Sequence, residues 1–343
     1  MAEVKKIAVL GGGSFGTAIA QVLADNGHPV RLWMRDMDQA QQMRETGRNE
    51  RYFPGQPLSS LIEPATEIEF TLGQADTVFV ALPSKAFRPF ITATKQHFRS
   101  DQFVISTTKG IEAEGFRLMS EILLEALPHT HVGVLSGPNL AGEMMQKQLT
   151  ATVIASADDG LRRETQRLLG CDYLRVYASS DMFGVELGGA LKNIYAVISG
   201  LAAALEVGEN TKAMIISRSL AEMSRFAVAL GANPMTFLGL AGVGDLFVTC
   251  TSSMSRNFRV GYAVGQGTPL DEAIAELGQV AEGIHTLQLV KDKAAELGIY
   301  MPLVGGLHEI LYGHLTIERV IKGLMTAAQG SDVEFTMPRE GNA

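Results

Sequence analysis

Ile7-Ala8-Val9-Leu10-Gly11-Gly12-Gly13-Ser14-Phe15-Gly16 sets the architecture expected of the chain. The first four residues are apolar without alternation, which predicts a strand covered on both faces. From Phe15 apolar residues recur at helical spacing as far as Asn26, and Gly27 ends the pattern. Strand, turn and helix in that order turn Gly11, Gly13 and Gly16 from a weak G-x-G-x-x-G match into a dinucleotide-binding turn. Gly11 permits the tight turn, Gly13 lets backbone approach a pyrophosphate, and Gly16 lets the helix pack closely on the strand. The amides of Ser14 and Phe15 would face the phosphates at the helix N-terminus, where the dipole favours an anion. A ligand-free glycine turn is the competing reading.

The pattern continues outward from this turn. Strands are predicted over 29–34, 77–82 and 103–107, the last two each followed by a loop and a helical stretch, as βαβ units require. Segments 151–155 and 174–177, with a polar helical stretch at 161–169, complete the sheet and its final crossover. Beyond Asp181 the period changes to long helical segments, 185–205, 211–230 and 283–297, without strands. The expected fold is therefore α/β, a doubly wound Rossmann-type parallel sheet followed by an all-helical C-terminal domain. Residues 1–180 form the dinucleotide-binding domain and 181–343 the helical substrate domain.

Composition narrows the function classes. The 343 residues suit two domains, 46% are hydrophobic and 19% charged, and the net charge is −8. Basic residues are scattered rather than clustered, which argues against a nucleic-acid or anionic-membrane partner. Cys171 and Cys250 lie far apart in no metal or redox motif, so no metal is expected and a reducing cytoplasm fits. Lys5 and Lys6 lead straight into the first strand, a start that predicts no signal peptide. The apolar stretch 190–205 is interrupted by Lys192 and Asn193 and is shorter than the ~20 residues of a spanning helix, so a buried helix is expected and no membrane span.

Isolated charges in apolar surroundings mark the candidate chemistry. At the end of the second strand, Arg35 can hold a 2′-phosphate and stack on adenine, whereas Asp36 leaves the ribose hydroxyl of NAD open. The expected cofactors are NADPH/NADP, with NADH/NAD also accepted, and an exposed helix-start charge is the other reading of Arg35. Tyr52, before the Pro54-Gly55 turn, either covers the adenosine or simply packs. Lys109, in Thr107-Thr108-Lys109-Gly110, follows a strand at the ligand-binding edge of the sheet, or is a solvated loop lysine. Lys192 lies in a helix otherwise too apolar to expose. Desolvation there would disfavour its ammonium form and suit proton exchange, unless the side chain snorkels to water. Asn193 beside it can orient a substrate. Asp245, in a glycine turn, can hold Lys192 or a substrate hydroxyl, or be an ordinary turn aspartate. Ser255-Arg256-Asn257 precede a helical pattern, and Arg256 adds a fork suited to phosphate at that helix start.

Taken together, Gly11 to Gly16, STTKGI (106–111), LSGP (135–138), LKNIY (191–195), Gly242 to Asp245 with Thr249 to Thr251, and Ser255 to Asn257 resemble the bacterial type of NAD(P)-dependent sn-glycerol-3-phosphate dehydrogenase over nearly the whole chain. The resemblance implies reversible reduction of dihydroxyacetone phosphate to sn-glycerol 3-phosphate, which supplies the glycerol backbone of phospholipids. It implies that Lys192 is the general acid/base and that Lys109 contacts cofactor and substrate. Gly137 and Asn139 would lie against the substrate, and Asp245, Ser255, Arg256 and Asn257 around its polyol and phosphate ends. Ala141, Arg256, Val280 and Glu282 would approach the cofactor. The family usually continues LSGP with Ser-Phe. This chain has Asn139-Leu140, which removes a hydroxyl and leaves a backbone contact open. A β-hydroxyacid-type dehydrogenase and a non-catalytic dinucleotide sensor are the rival readings, and a homodimer is an open assembly.

Overall fold

Strand β1, Ile7–Leu10, is buried along its whole length in the computed structural model, which describes residues 6–277, 281–313 and 315–326. Its side chains alternate between two cores. Ile7 and Val9 join Ile19, Leu23 and Leu161 on one face of the sheet, while Ala8 and Leu10 join Phe87, Ile91 and Leu123 on the other. Covering on both faces is why the run shows no polar alternation.

The remaining strands are β2 (Val30–Trp33), β3 (Ile62–Ala65), β4 (Thr77–Val80), β5 (Phe103–Ser106), the short antiparallel pair β6 (Ile111–Glu112) and β7 (Arg117–Leu118), then β8 (His131–Ser136), β9 (Thr150–Ala155) and β10 (Leu174–Ser179). Eight of them form one sheet in the order β10-β9-β8-β5-β4-β1-β2-β3. The chain winds outward in both directions from β1 and β4, so their carboxyl ends mark the switch point where such sheets bind ligands.

Four strands were not predicted, the short pair β6 and β7 and two strands of the main sheet, β3 and β8. Pro64 lies in β3, which is tolerated because β3 is the sheet's edge. Gly133 interrupts the apolar run of β8, and a Cβ there would come within 2.6 Å of Leu161 Cδ2. The sheet is parallel from β8 to β3, but β9 runs antiparallel to β8 and carries β10 with it. The crossover over 161–169 is the helix Asp159–Leu169.

The chain's contacts divide it into two compact units, one ending at Gly189 and the other beginning at Ala190, inside the helix Met182–Ala204. The change of sequence period lies earlier, near residue 180. This helix is longer than expected and is apolar and long enough to cross a membrane, but 78% of its apolar window is buried inside the protein, as in the core helix of a folded domain. Before the division, Glu186 is buried and accepts from the backbone N–H of Ser120 at 3.0 Å and from its hydroxyl, satisfying the start of the helix Met119–Ala126. Burial pushes this carboxyl up to about 7.

The second unit is helical among the described residues. It comprises Glu209–Ala229, Asp245–Thr251, Arg256–Gly265, Leu270–Leu277, Glu282–Leu297, Pro302–Leu311 and Ile317–Thr326, besides the end of Met182–Ala204. A Cβ on Gly261 would lie 2.0 Å from Val197 O, and one on Gly200 would lie 2.0 Å from Phe258 O. The helices Met182–Ala204 and Arg256–Gly265 therefore meet backbone to backbone, which sets Asn193 beside Asn257. Glu222 repeats the device of Glu186. It accepts from the N–H groups of Leu303 and Val304, both at 2.9 Å, at the start of Pro302–Leu311, and burial raises it to about 7.

Candidate active site

The glycine turn is defined by what its residues lack. Gly11 has φ +125°, and a Cβ there would meet Ala81 O at 2.3 Å. A Cβ on Gly16 would lie 1.9 Å from Gly11 O. Both positions are closed to side chains by the fold itself. Gly13 differs, because nothing stands within 4 Å of its Cβ position. It is the N-cap of the helix Ser14–Asp25 and provides no side-chain cap, so this helix start carries unsatisfied donors beside open space. That combination fits the pyrophosphate of a dinucleotide. Asn49, fully buried, donates to Gly12 O at 3.1 Å and to Thr17 Oγ1 at 2.8 Å and so ties the turn down. Its role escaped sequence reading because a lone asparagine between charged residues resembles any loop residue.

Arg35 is exposed just beyond β2. Asp36 caps the helix Met37–Thr46: its Oδ1 accepts from Asp38 and Gln39 N–H at 3.1 Å each, and its Oδ2 pairs with Arg51 at 3.3 Å. Tyr52 is half-buried and packs against the core. At the end of β5, the hydroxyls of Thr107 and Thr108 donate to Val80 O and Leu82 O. They anchor the turn that presents Lys109 at the carboxyl edge. Lys109 Nζ donates to Gly137 O and to Asn139 Oδ1, both at 3.1 Å. Ala141 opens the helix Ala141–Met145, which packs on Ser14–Asp25.

In the helical unit the buried ammonium does not snorkel. Lys192 is 6% exposed, pairs with Asp245, and donates to Thr249 Oγ1 at 2.6 Å. Thr249 in turn donates to Asp245 O at 2.6 Å. Asp245, almost wholly buried, thus supplies the countercharge that a desolvated ammonium requires. Of the readings open for Asp245, contact with Lys192 is the one found. The sequence placed Thr249 in a motif without giving it a task, since its partners lie 57 and 4 positions away.

Close by in sequence, Asn193 Oδ1 accepts from Asn257 Nδ2 at 3.0 Å, and Asn257 Oδ1 accepts from Gly283 N at 3.0 Å. These partners direct the other end of Asn193, its amide donors, away from Asn257. Ser255 caps the helix Arg256–Gly265 through Phe258 N at 3.3 Å, and Arg256 is exposed on its first turn. Glu282 opens Glu282–Leu297 and is half-buried, whereas Val280 lies outside the described residues. Each unit therefore assembles its own predicted residues: the glycine turn with Lys109, Gly137 and Asn139 in the first, and Lys192, Asn193, Asp245 and Asn257 in the second.

Comparison with known proteins matches the chain in two parts. Residues 6–162 match the family described as the NAD-dependent glycerol-3-phosphate dehydrogenase N-terminus, and residues 181–322 match the C-terminus of the same family. The chain is 58% identical over 335 residues, 98% of each protein, to a glycerol-3-phosphate dehydrogenase (NAD(P)+) of Ectopseudomonas mendocina. It is 56% identical over 329 residues, 96% of each, to that of Azotobacter vinelandii. A solved structure of glycerol-3-phosphate dehydrogenase from Coxiella burnetii is similar at a TM-score of 0.90 and 36% identity, covering 94% of this chain and 99% of that one.

Proposed function

The chain belongs to the NAD-dependent glycerol-3-phosphate dehydrogenase family, and from that membership we propose how its residues divide the work of the reaction. It is an NAD(P)-dependent oxidoreductase that interconverts dihydroxyacetone phosphate and sn-glycerol 3-phosphate. A nicotinamide cofactor, when bound, would supply or accept the hydride. In reduction, negative charge grows on the substrate's carbonyl oxygen, and Lys192 Nζ gives that oxygen a proton. In oxidation, Lys192 takes the proton back. Asp245 and Thr249 hold Nζ in place, so the transfer needs little reorganisation, and general acid catalysis of this kind contributes ~100-fold to 10,000-fold. Arg256 and the Ser255-capped helix start suit the phosphate, whose binding energy can orient the reacting carbon. Asn193 donates to a substrate oxygen, and Lys109 contacts cofactor and substrate. Arg35 favours NADPH. The buried Lys192–Asp245–Thr249 cluster is the observation that carries this reading.

The decisive experiment mixes purified protein with NADPH and dihydroxyacetone phosphate and follows the loss of NADPH absorbance. Turnover is expected, and a folded protein that leaves NADPH unoxidised overturns the reading. We place the protein in the cytoplasm, a reading that the free cysteines Cys171 and Cys250 suit. A homodimer is the assembly we propose, because a second copy would cover exposed apolar side chains such as Leu238 and Phe247. Light scattering of the purified protein gives its mass.

A further inference from the structure

Asn139 is almost fully buried, and both ends of its carboxamide are in use. Its Oδ1 accepts from Lys109 Nζ at 3.1 Å, and its Nδ2 donates to Thr152 Oγ1 at 3.0 Å. Thr152, also buried, donates its hydroxyl to Ser136 O at 3.0 Å. A hydroxyl has one proton to give, and a carboxamide has one donor end and one acceptor end. The direction of this hydrogen-bond chain is therefore fixed from its far end. Ser136 O takes the Thr152 proton, so Thr152 Oγ1 must accept, so Nδ2 must face it, and Oδ1 is left toward the ammonium. The opposite orientation of Asn139 would set an NH₂ group against a cation.

The reversed strand makes this possible. Because β9 runs antiparallel to β8, with Ser136 opposite Val153, the early residues of β9 adjoin the carboxyl end of β8. A parallel β9 would bring its last residues there instead. We propose that Asn139 and Thr152 are positioning residues that act on the reaction through Lys109, holding its ammonium at the ligand edge of the sheet, and not through ligand contacts of their own. The proposal rests on the reading that Lys109 touches cofactor and substrate.

Its test is a mutant cycle on the purified enzyme. Thr152→Val keeps the shape of the strand residue but removes the hydroxyl, and Asn139→Leu removes both ends of the carboxamide. Losing an aligned hydrogen bond to a charged group should raise KM for dihydroxyacetone phosphate about tenfold in Asn139→Leu and about fivefold in Thr152→Val. In both, kcat should stay within about twofold. Thr152→Ser should restore KM. In a Lys109→Met background, neither substitution should raise KM further, because the group they position is gone. Losses of the same size in both backgrounds, or a Thr152→Val enzyme with unchanged KM, would overturn the proposal. If Asn139→Leu does not fold, the Thr152 pair decides alone. A wild-type protein without turnover would instead refute the assignment of function, so the two failures are distinct.

Discussion

The glycine turn and the Lys192 cluster are made of opposite materials. The turn is backbone and empty space: Gly11 and Gly16 are needed for the atoms they lack, and Gly13 leaves room for a ligand. The cluster is made of side chains, a lysine, an aspartate and a threonine whose buried polar atoms satisfy one another. The first depends on sterics and the second on charge compensation. They should therefore fail in different ways, the turn through folding or cofactor affinity and the cluster through turnover.

Lys192→Ala should give the largest effect, a fall in kcat of ~100-fold to 10,000-fold. NADPH should still bind, and the single tryptophan, Trp33, can report it, since its carbonyl oxygen accepts from Gly11 N. Removing the lysine also leaves Asp245 buried without its partner, which should lower the melting temperature. Normal turnover in this variant would end the acid/base assignment.

Within the turn, Gly16→Ala and Gly13→Ala separate the two uses of glycine. A Cβ on Gly16 collides with the Gly11 carbonyl, and relieving that overlap should cost about 1–3 kcal/mol or more, read as a lowered melting temperature. Gly13 has φ −77° and ψ −175°, a conformation open to alanine, and its Cβ site is empty. Gly13→Ala should therefore melt no lower than wild type, yet the Kd for NADPH should rise about tenfold as the methyl takes ligand space. A Gly13→Ala protein with unchanged affinity would show that the pyrophosphate does not approach there.

The same contrast explains what the sequence disclosed. The glycine turn was legible because its three glycines stand at fixed offsets between a strand and a helix, all within local reach. The helix carrying Lys192 was legible from its period. Asp245 was legible as one partner open to Lys192, but which of its readings holds was not, because it lies 53 residues away and only folding brings it near. Strands β3 and β8 were hidden by Pro64 and Gly133, residues that local preference counts against a strand but that an edge and a crowded helix contact accept. The reversal of β9 was illegible for a different reason: period reveals a strand, whereas direction is set by the neighbour it pairs with. The task of Asn139 followed from that reversal and was hidden with it.

A device shared by both units offers a control that should leave chemistry aside. Glu186 and Glu222 each satisfy a helix start, and burial raises both carboxyls from 4.5 to about 7. A raised acid contributes stability that is fully present below its unfolded pKa and is lost as pH rises through the folded one. Stability from these groups should thus decline from about pH 4.5 to about pH 7, by on the order of 3 kcal/mol for each carboxyl. Glu222→Gln should melt lower at acid pH, since Leu303 and Val304 each use a separate carboxyl oxygen, but its melting temperature should fall less steeply over that interval. A slope equal to that of wild type would remove Glu222 from the account.

The smallest effect concerns a choice the turn cannot make. On the proposed reading its backbone would meet the pyrophosphate that NAD and NADP share, so discrimination must come from a side chain beyond it. Arg35 is exposed at that place, and the neighbouring acid is already engaged: Asp36 Oδ1 caps a helix and its Oδ2 pairs with Arg51. Arg35→Ala should lower kcat/KM for NADPH about tenfold, the scale of a charge-assisted hydrogen bond to phosphate, and leave NADH nearly unchanged. Asp36→Ala should instead loosen the helix Met37–Thr46, because a cap is what its carboxylate supplies. If Arg35→Ala lowers both cofactors equally, the guanidinium serves the adenine face they have in common, and cofactor choice must lie with another residue.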